Sequence, residues 1–86
     1  MEDTILFSLE NCVKCTQTKE LLNDRPDIKI ITYPHDLTNW EEYQLNEAKD
    51  HDVFEDLQKT APILWNGGEK HIGYLRIRKW LQDNEK

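Results

Sequence analysis

Two cysteines, Cys12 and Cys15, stand in the stretch Asn11-Cys12-Val13-Lys14-Cys15. Three residues apart on a helix, their side chains share one face and lie within disulfide reach. A strand-like run, Ile5-Leu6-Phe7, precedes them, and a helical run, Lys19-Glu20-Leu21-Leu22, follows. The pair therefore sits where a strand hands over to a helix. A helix N-terminus offers unpaired N–H groups and the positive end of a dipole. Such a place favours a thiolate over a thiol. The thiolate is the species that attacks a disulfide, so this spacing points to dithiol–disulfide exchange.

Two other readings of the pair compete. A closed zinc site wants four ligands, and His35, His51 and His71 are scattered without ligand spacing. A structural disulfide here closes only a tiny loop, which is a poor staple in a reducing compartment. Redox chemistry outweighs both. Lys14 and Lys19 are, most simply, exposed helix lysines. Their functional role is a cation near the Cys12 thiolate, with Lys14 facing substrate and Lys19 stabilising the thiolate.

The elements that position the pair follow from pattern. Thr4 to Ser8 reads as a buried strand, and Leu9-Glu10-Asn11 as a loop. A helix begins near Cys12 or Val13, with Leu21 and Leu22 on its apolar face and Val13 and Thr18 on or near it. Pro26 ends the segment, because it cannot continue a helix. Ile28-Lys29-Ile30-Ile31-Thr32-Tyr33 is β-branched and aromatic, hence a second strand. Thr38-Asn39-Trp40-Glu41 has the form of a capping box and opens a helix to about Asp50. His51-Asp52 breaks it, and Asp52 caps a short helical segment through Val53, Phe54 and Leu57.

Thr60-Ala61-Pro62 leads into a third strand, Ile63-Leu64-Trp65. Asn66-Gly67-Gly68 is a hairpin signal, returning through a fourth strand from Glu69 to Ile72. Gly73 punctuates it, and a last helix runs from about Leu75 to Gln82, with Leu75, Ile77, Trp80 and Leu81 as its apolar residues. The strand–helix–strand start implies a right-handed crossover and a parallel pair, and the late hairpin an antiparallel one. The expected architecture is α/β: a four-stranded mixed sheet flanked by about three helices on both faces.

Composition narrows the function. The chain has 86 residues, which suits one domain over 1–86. Its 17 acidic residues against 11 Lys and Arg give a formal charge of −6, so nucleic acid is excluded as a partner for want of a basic patch. The charge is uneven: between Asp36 and Gln58 acids recur with only Lys49 to offset them, whereas Arg76 to Lys79 is basic. Solvated helical faces account for both runs. No stretch has transmembrane length, and the N-terminus lacks a basic-then-apolar signal pattern, so a cytoplasmic monomer is expected. In a reducing cytosol a lone close pair of cysteines is catalytic, regulatory or metal-binding.

With these parts in place, the chain resembles the thioredoxin superfamily, specifically the small glutaredoxins and the NrdH-type redoxins. Cys12-Val13-Lys14-Cys15-Thr16-Gln17-Thr18-Lys19 is similar to the Cys-Val-x-Cys-x-x-Thr-Lys run of NrdH redoxins, and Thr60-Ala61-Pro62 to the Thr-Val-Pro signature of glutaredoxins. Phage-encoded redoxins also resemble it at His71-Ile72-Gly73. The resemblance implies a thioredoxin-like, glutaredoxin-type fold and a dithiol–disulfide oxidoreductase with Cys12 as nucleophile and Cys15 as resolving thiol. It implies a cis bond before Pro62, with Thr60, Ala61, Pro62, Gly73 and Tyr74 lining a substrate groove with Lys14. Tyr74 also has the plain reading of a packing residue. No bound cofactor is implied beyond a redox-active Cys12–Cys15 disulfide, with electrons from thioredoxin reductase and NADPH or from glutathione. Protein disulfides, ribonucleotide reductase foremost, are the implied substrates.

The glutathione pattern of glutaredoxins is largely missing. Lys14 replaces the tyrosine before the second cysteine, and Leu9-Glu10-Asn11 lacks the usual basic residue. Gly73-Tyr74-Leu75-Arg76 lacks one glycine and the late acid. A glutathione-dependent glutaredoxin is thus the second reading. A non-catalytic thioredoxin-fold binding module, its cysteines incidental or holding metal, is the third.

Overall fold

Strand β1 (Thr4–Leu9) is apolar along its middle because it is covered on both sides. In the computed structural model, which describes residues 4–84, Ile5, Leu6, Phe7 and Ser8 are all buried. Alternation sends Ile5 and Phe7 to one core cluster and Leu6 to another. Ser8 is tolerated because its hydroxyl donates to the Ile31 carbonyl at 2.9 Å and meets Thr32 Oγ1 at 3.0 Å.

Around β1 the chain runs α1 (Val13–Leu21), β2 (Lys29–Tyr33), a 3₁₀ turn (Leu37–Asn39), α2 (Glu42–Asp50), α3 (Phe54–Lys59), β3 (Ile63–Asn66), β4 (Glu69–Ile72) and α4 (Tyr74–Asp83). The sheet order is β2-β1-β3-β4. β1 and β2 are parallel, with Phe7 opposite Ile31. β1–β3 and β3–β4 are antiparallel, with Leu6 opposite Leu64 and Ile63 opposite Ile72. The expected four-stranded mixed sheet is what forms.

Helices cover both faces. On one side Leu6 and Leu64 pack with Leu22, Ile28, Ile77 and Leu81, which seats α1 and α4. On the other, Ile5, Phe7, Tyr33 and Ile63 pack with Ala48, Val53 and Leu57, which seats α2 and α3. An aromatic relay strengthens this second side. Tyr33 stacks on Trp40 at 4.4 Å between centroids, Phe7 lies 5.2 Å from His51, and His51 meets Trp65 edge-on at 4.7 Å.

Among the described residues there are four α-helices: the three read from the sequence and the short helical segment after His51-Asp52. Three local expectations are corrected. His51-Asp52 does interrupt the chain, Asp52 adopting φ 58°, a conformation that Asp tolerates better than most residues. The segment beyond it then forms a separate helix, but Asp52 does not cap it: Val53 holds the N-cap position, and the Asp52 carboxylate takes Lys70 at 3.3 Å.

The capping box lies three residues later than expected. Asp36, not Thr38, caps the 3₁₀ turn, and the box belongs to Glu41 and Gln44. Finally, Val13 and Leu75 are no part of the core: they are 73% and 74% exposed. Each precedes by two residues the first buried position of its helix, Cys15 or Ile77, and so points to the opposite side.

Candidate active site

Asn11, at φ 55°, turns the chain out of β1; Asn is among the few residues that take this conformation readily. That turn delivers Cys12 to the N-cap of α1, with φ −119° and ψ 114°. Its thiol occupies the place that Ser or Asp usually fills. The Cys15 backbone N–H donates to Cys12 Sγ at 3.2 Å. The Cys12 carbonyl in turn accepts from the Thr16 N–H at 3.0 Å and the Thr16 hydroxyl at 3.1 Å, which fixes the first turn.

Cys15 faces inward. It is 1% exposed, against a half-exposed Cys12, and both are free thiols. The Leu9 N–H donates to Cys15 Sγ at 3.4 Å. Burial, foremost, and then the hydrogen bond to Cys12 push the Cys15 thiol up to about 12, while the Leu9 N–H and the Lys19 cation pull the other way. Lys19, one helical turn beyond Cys15, is among the groups that oppose that rise. Thr18, three residues beyond Cys15, is buried on the same face because its hydroxyl returns to the Lys14 carbonyl at 2.7 Å.

An open cleft of about 360 Å³ lies between the segment before β3, the end of β4 and the start of α4. Lys14, Thr60, Ala61, Gly73 and Tyr74, singled out from the sequence, all line it. Pro62 does not: it is fully buried behind a cis Ala61–Pro62 bond, and its carbonyl accepts from the Gly73 N–H at 2.9 Å. Gly73 ends that strand contact at φ 94° and ψ 156°, a backbone conformation that essentially only glycine adopts. The chain can then turn straight into α4 and present Tyr74.

Two further lining residues, Ile72 and Leu75, were not assigned to the site from sequence, and Arg76, which the sequence leaves open between an exposed helix-start residue and a contact for a carboxylate, lines it too. Leu75 carried a signal: its spacing from Ile77 and Leu81 takes it off the buried stripe. Lys14 Nζ sits 5.5 Å from the centroid of the Tyr74 ring, a cation–π contact that joins α1 to α4 across the cleft. This contact is a product of tertiary packing alone.

The histidines lie elsewhere. His35 is exposed, His51 belongs to the aromatic relay with Nδ1 2.8 Å from the Glu47 carbonyl, and His71 packs 5.9 Å from Trp80. Among the described residues, no three His, Cys, Asp or Glu side chains converge on a point where a metal ion would sit, and no helix is long and apolar enough to cross a membrane.

The chain superposes on the crystal structure of glutaredoxin 1 from Francisella tularensis complexed with cacodylate. The TM-score is 0.53 at 16% sequence identity, covering 96% of this chain and 94% of that one. The mixed sheet with helices on both faces is therefore a glutaredoxin-type, thioredoxin-like fold. No family model matches the sequence, and neither does any curated protein.

Proposed function

We propose that the protein is a dithiol–disulfide oxidoreductase that reduces protein disulfides through Cys12 and Cys15. The observation that carries this reading is the asymmetry of the pair. Cys12 is partly exposed at the N-cap of α1, the helix whose Lys14 lines the open cleft, while Cys15 is buried with its proton held. Cys12, as thiolate, attacks one sulfur of a substrate disulfide. The substrate S–S bond breaks, one substrate thiolate leaves, and a Cys12–substrate mixed disulfide remains. Cys15 then loses its proton and attacks Cys12 Sγ, expelling the second substrate thiolate and leaving Cys12–Cys15 oxidised. Two electrons have moved from the dithiol to the substrate.

The Cys-Val-Lys-Cys run and the thin glutathione pattern favour a carrier of the NrdH or phage type. Thioredoxin reductase with NADPH is then the reductant, with glutathione the lesser alternative, and ribonucleotide reductase is the leading substrate. Lys14, Thr60, Ala61, Gly73 and Tyr74 receive the substrate segment, and Pro62 holds that wall of the cleft in place from behind. The protein works as a cytoplasmic monomer with no cofactor beyond its own disulfide.

The test is reduction of insulin by the protein, recycled either by thioredoxin reductase and NADPH or by glutathione and glutathione reductase. Thioredoxin reductase is expected to support the faster turnover, and Cys12→Ser to abolish it. Unchanged turnover in Cys12→Ser, or stoichiometric zinc blocking both thiols in the purified protein, overturns the proposal. Recycling by glutathione alone replaces the NrdH-type assignment with that of a glutathione-dependent glutaredoxin.

A further inference from the structure

We infer that the substrate segment is acidic: an extended stretch of a partner protein carrying carboxylates beside its disulfide and an apolar residue to cover the rim. This rests on the oxidoreductase reading and adds the chemistry of the partner. The whole chain carries a charge of −6, yet the ionisable groups lining the cleft are the cations Lys14 and Arg76, with Tyr74 between them in sequence and no acid among the lining residues. Glu10, two residues before Cys12, is exposed and does not line it.

The fold separates the charges. The acid-rich run of α2 and α3 lies on one face of the sheet, whereas α1 and α4, which supply Lys14 and Arg76, lie on the other. Screening over about 8 Å at physiological ionic strength weakens the distant acids more than the cations a bound segment touches. Approach of an acidic segment is therefore favoured locally although the net charge opposes it.

Apolar surface argues for a protein segment over a small thiol. Val13, next to Cys12 in the chain, and Leu75, on the cleft wall, are 73% and 74% exposed, and neither contributes to a core cluster. Their chain neighbours Lys14 and Tyr74 meet across the cleft, 5.5 Å from Nζ to ring centroid. A tripeptide seated at the cysteine leaves such a rim uncovered, but a longer chain with an apolar side chain near its disulfide covers it. Arg76 is exposed and free to reorient, and Lys14 can leave the Tyr74 ring for a carboxylate, because an exposed cation–π contact is weak.

The experiment uses three synthetic peptides with one internal disulfide and flanking residues that are acidic, neutral or basic. The pre-reduced protein meets each at 0.15 M salt, and the initial reduction rate gives kcat/KM with dithiothreitol as the recycling dithiol. The acidic peptide is expected to exceed the basic one about fivefold, in line with a few exposed charge contacts. Lys14→Gln with Arg76→Gln should bring that ratio towards one, and raised salt should do the same in the unaltered protein. Lys29→Gln, an exposed lysine on β2 at the far edge of the sheet, should leave the ratio in place.

Equal rates for the three peptides overturn the inference, as does a ratio that survives the double substitution. Glutathione disulfide reduced faster than the acidic peptide overturns the choice of a protein segment. Failure to reduce any of these substrates overturns the oxidoreductase reading instead.

Discussion

The two faces of the sheet are built to different ends. The α2/α3 face is a closed aromatic layer. Phe7, Tyr33, Trp40, His51, Phe54 and Trp65 contact one another, and its polar groups are paired inward: Tyr33 Oη donates to Glu47 at 2.7 Å and Trp40 Nε1 to the Pro34 carbonyl at 2.7 Å. The α1/α4 face packs fewer and smaller residues, and its helix starts leave Cys12, Val13, Lys14, Leu75 and Arg76 reachable. One face is an anchor and the other a working surface. Stability and chemistry can then be altered separately, because the sheet lies between them.

The sharpest contrast within the working face is between its two thiols. Cys15 is 1% exposed and its thiol is pushed up to about 12, chiefly by burial, which lowers its thiolate fraction. Alkylation of the native reduced protein at pH 7.5 should therefore label one thiol per chain, at Cys12, and two in denaturant, as counted by intact mass. Equal labelling of both cysteines under native conditions breaks the assignment of nucleophile and resolver.

On the anchor face, Phe7→Ala should be the most destabilising of the substitutions considered, by about 3–5 kcal/mol in denaturant unfolding. Phe7 is fully buried and touches both Tyr33 and His51. Against a total domain stability of about 5–15 kcal/mol, that loss approaches global unfolding, but the molecules that remain folded should keep their thiol reactivity. Loss of Cys12 labelling in the folded fraction would show that the two faces are not independent.

Tyr33→Phe is a milder probe, costing about 1–3 kcal/mol because Glu47 loses a half-buried donor. It also has a pH signature. Burial, followed by the Glu47 hydrogen bond and charge, raises the Tyr33 phenol above its ordinary 10.0. The folded state thus holds this proton more tightly than the unfolded chain does. The contribution is complete below about pH 10 and is lost as the pH rises above it. Urea melts should show stability falling above pH 10 in the unaltered protein and a shallower fall in Tyr33→Phe.

The smallest effect belongs to Lys70, which ties β4 to α3 through Asp56 at 2.7 Å and to the turn before α3 through Asp52 at 3.3 Å. All three groups have solvent access, Asp52 at 94%, so Lys70→Met should cost less than about 1 kcal/mol and this difference should shrink in 1 M salt. A larger loss would make this tether part of the anchor.

Much of this division was legible in the chain. The cysteine spacing, the Asn11 turn, Pro62 and Gly73 each act over a few residues, and residue type at such positions restricts the backbone directly. The strands were visible because β1 reads as a continuous apolar run and the β3–β4 hairpin carries Asn66-Gly67-Gly68. Five of the eight cleft-lining residues were singled out, all within two residues of a cysteine, a glycine or a proline whose local meaning is strong. Val13 and Leu75 were misplaced because apolar character was read as burial, although helical spacing puts both off the stripe that the core uses.

What the sequence determined by itself is the order of the elements and the position of the cysteine pair at the start of a helix, since both depend on local backbone preference and short-range periodicity. The sequence placed Cys15 further into the helix than Cys12; tertiary structure decided how completely it is sealed, at 1% exposed, and that Lys14 meets Tyr74. It also decided that Tyr33, 14 residues from Glu47, pairs with it, and that the acidic helices lie behind the sheet from the cationic cleft. Each of these depends on the separation of groups far apart in the chain. Burial and electrostatics are set by those distances, and only the packed fold fixes them.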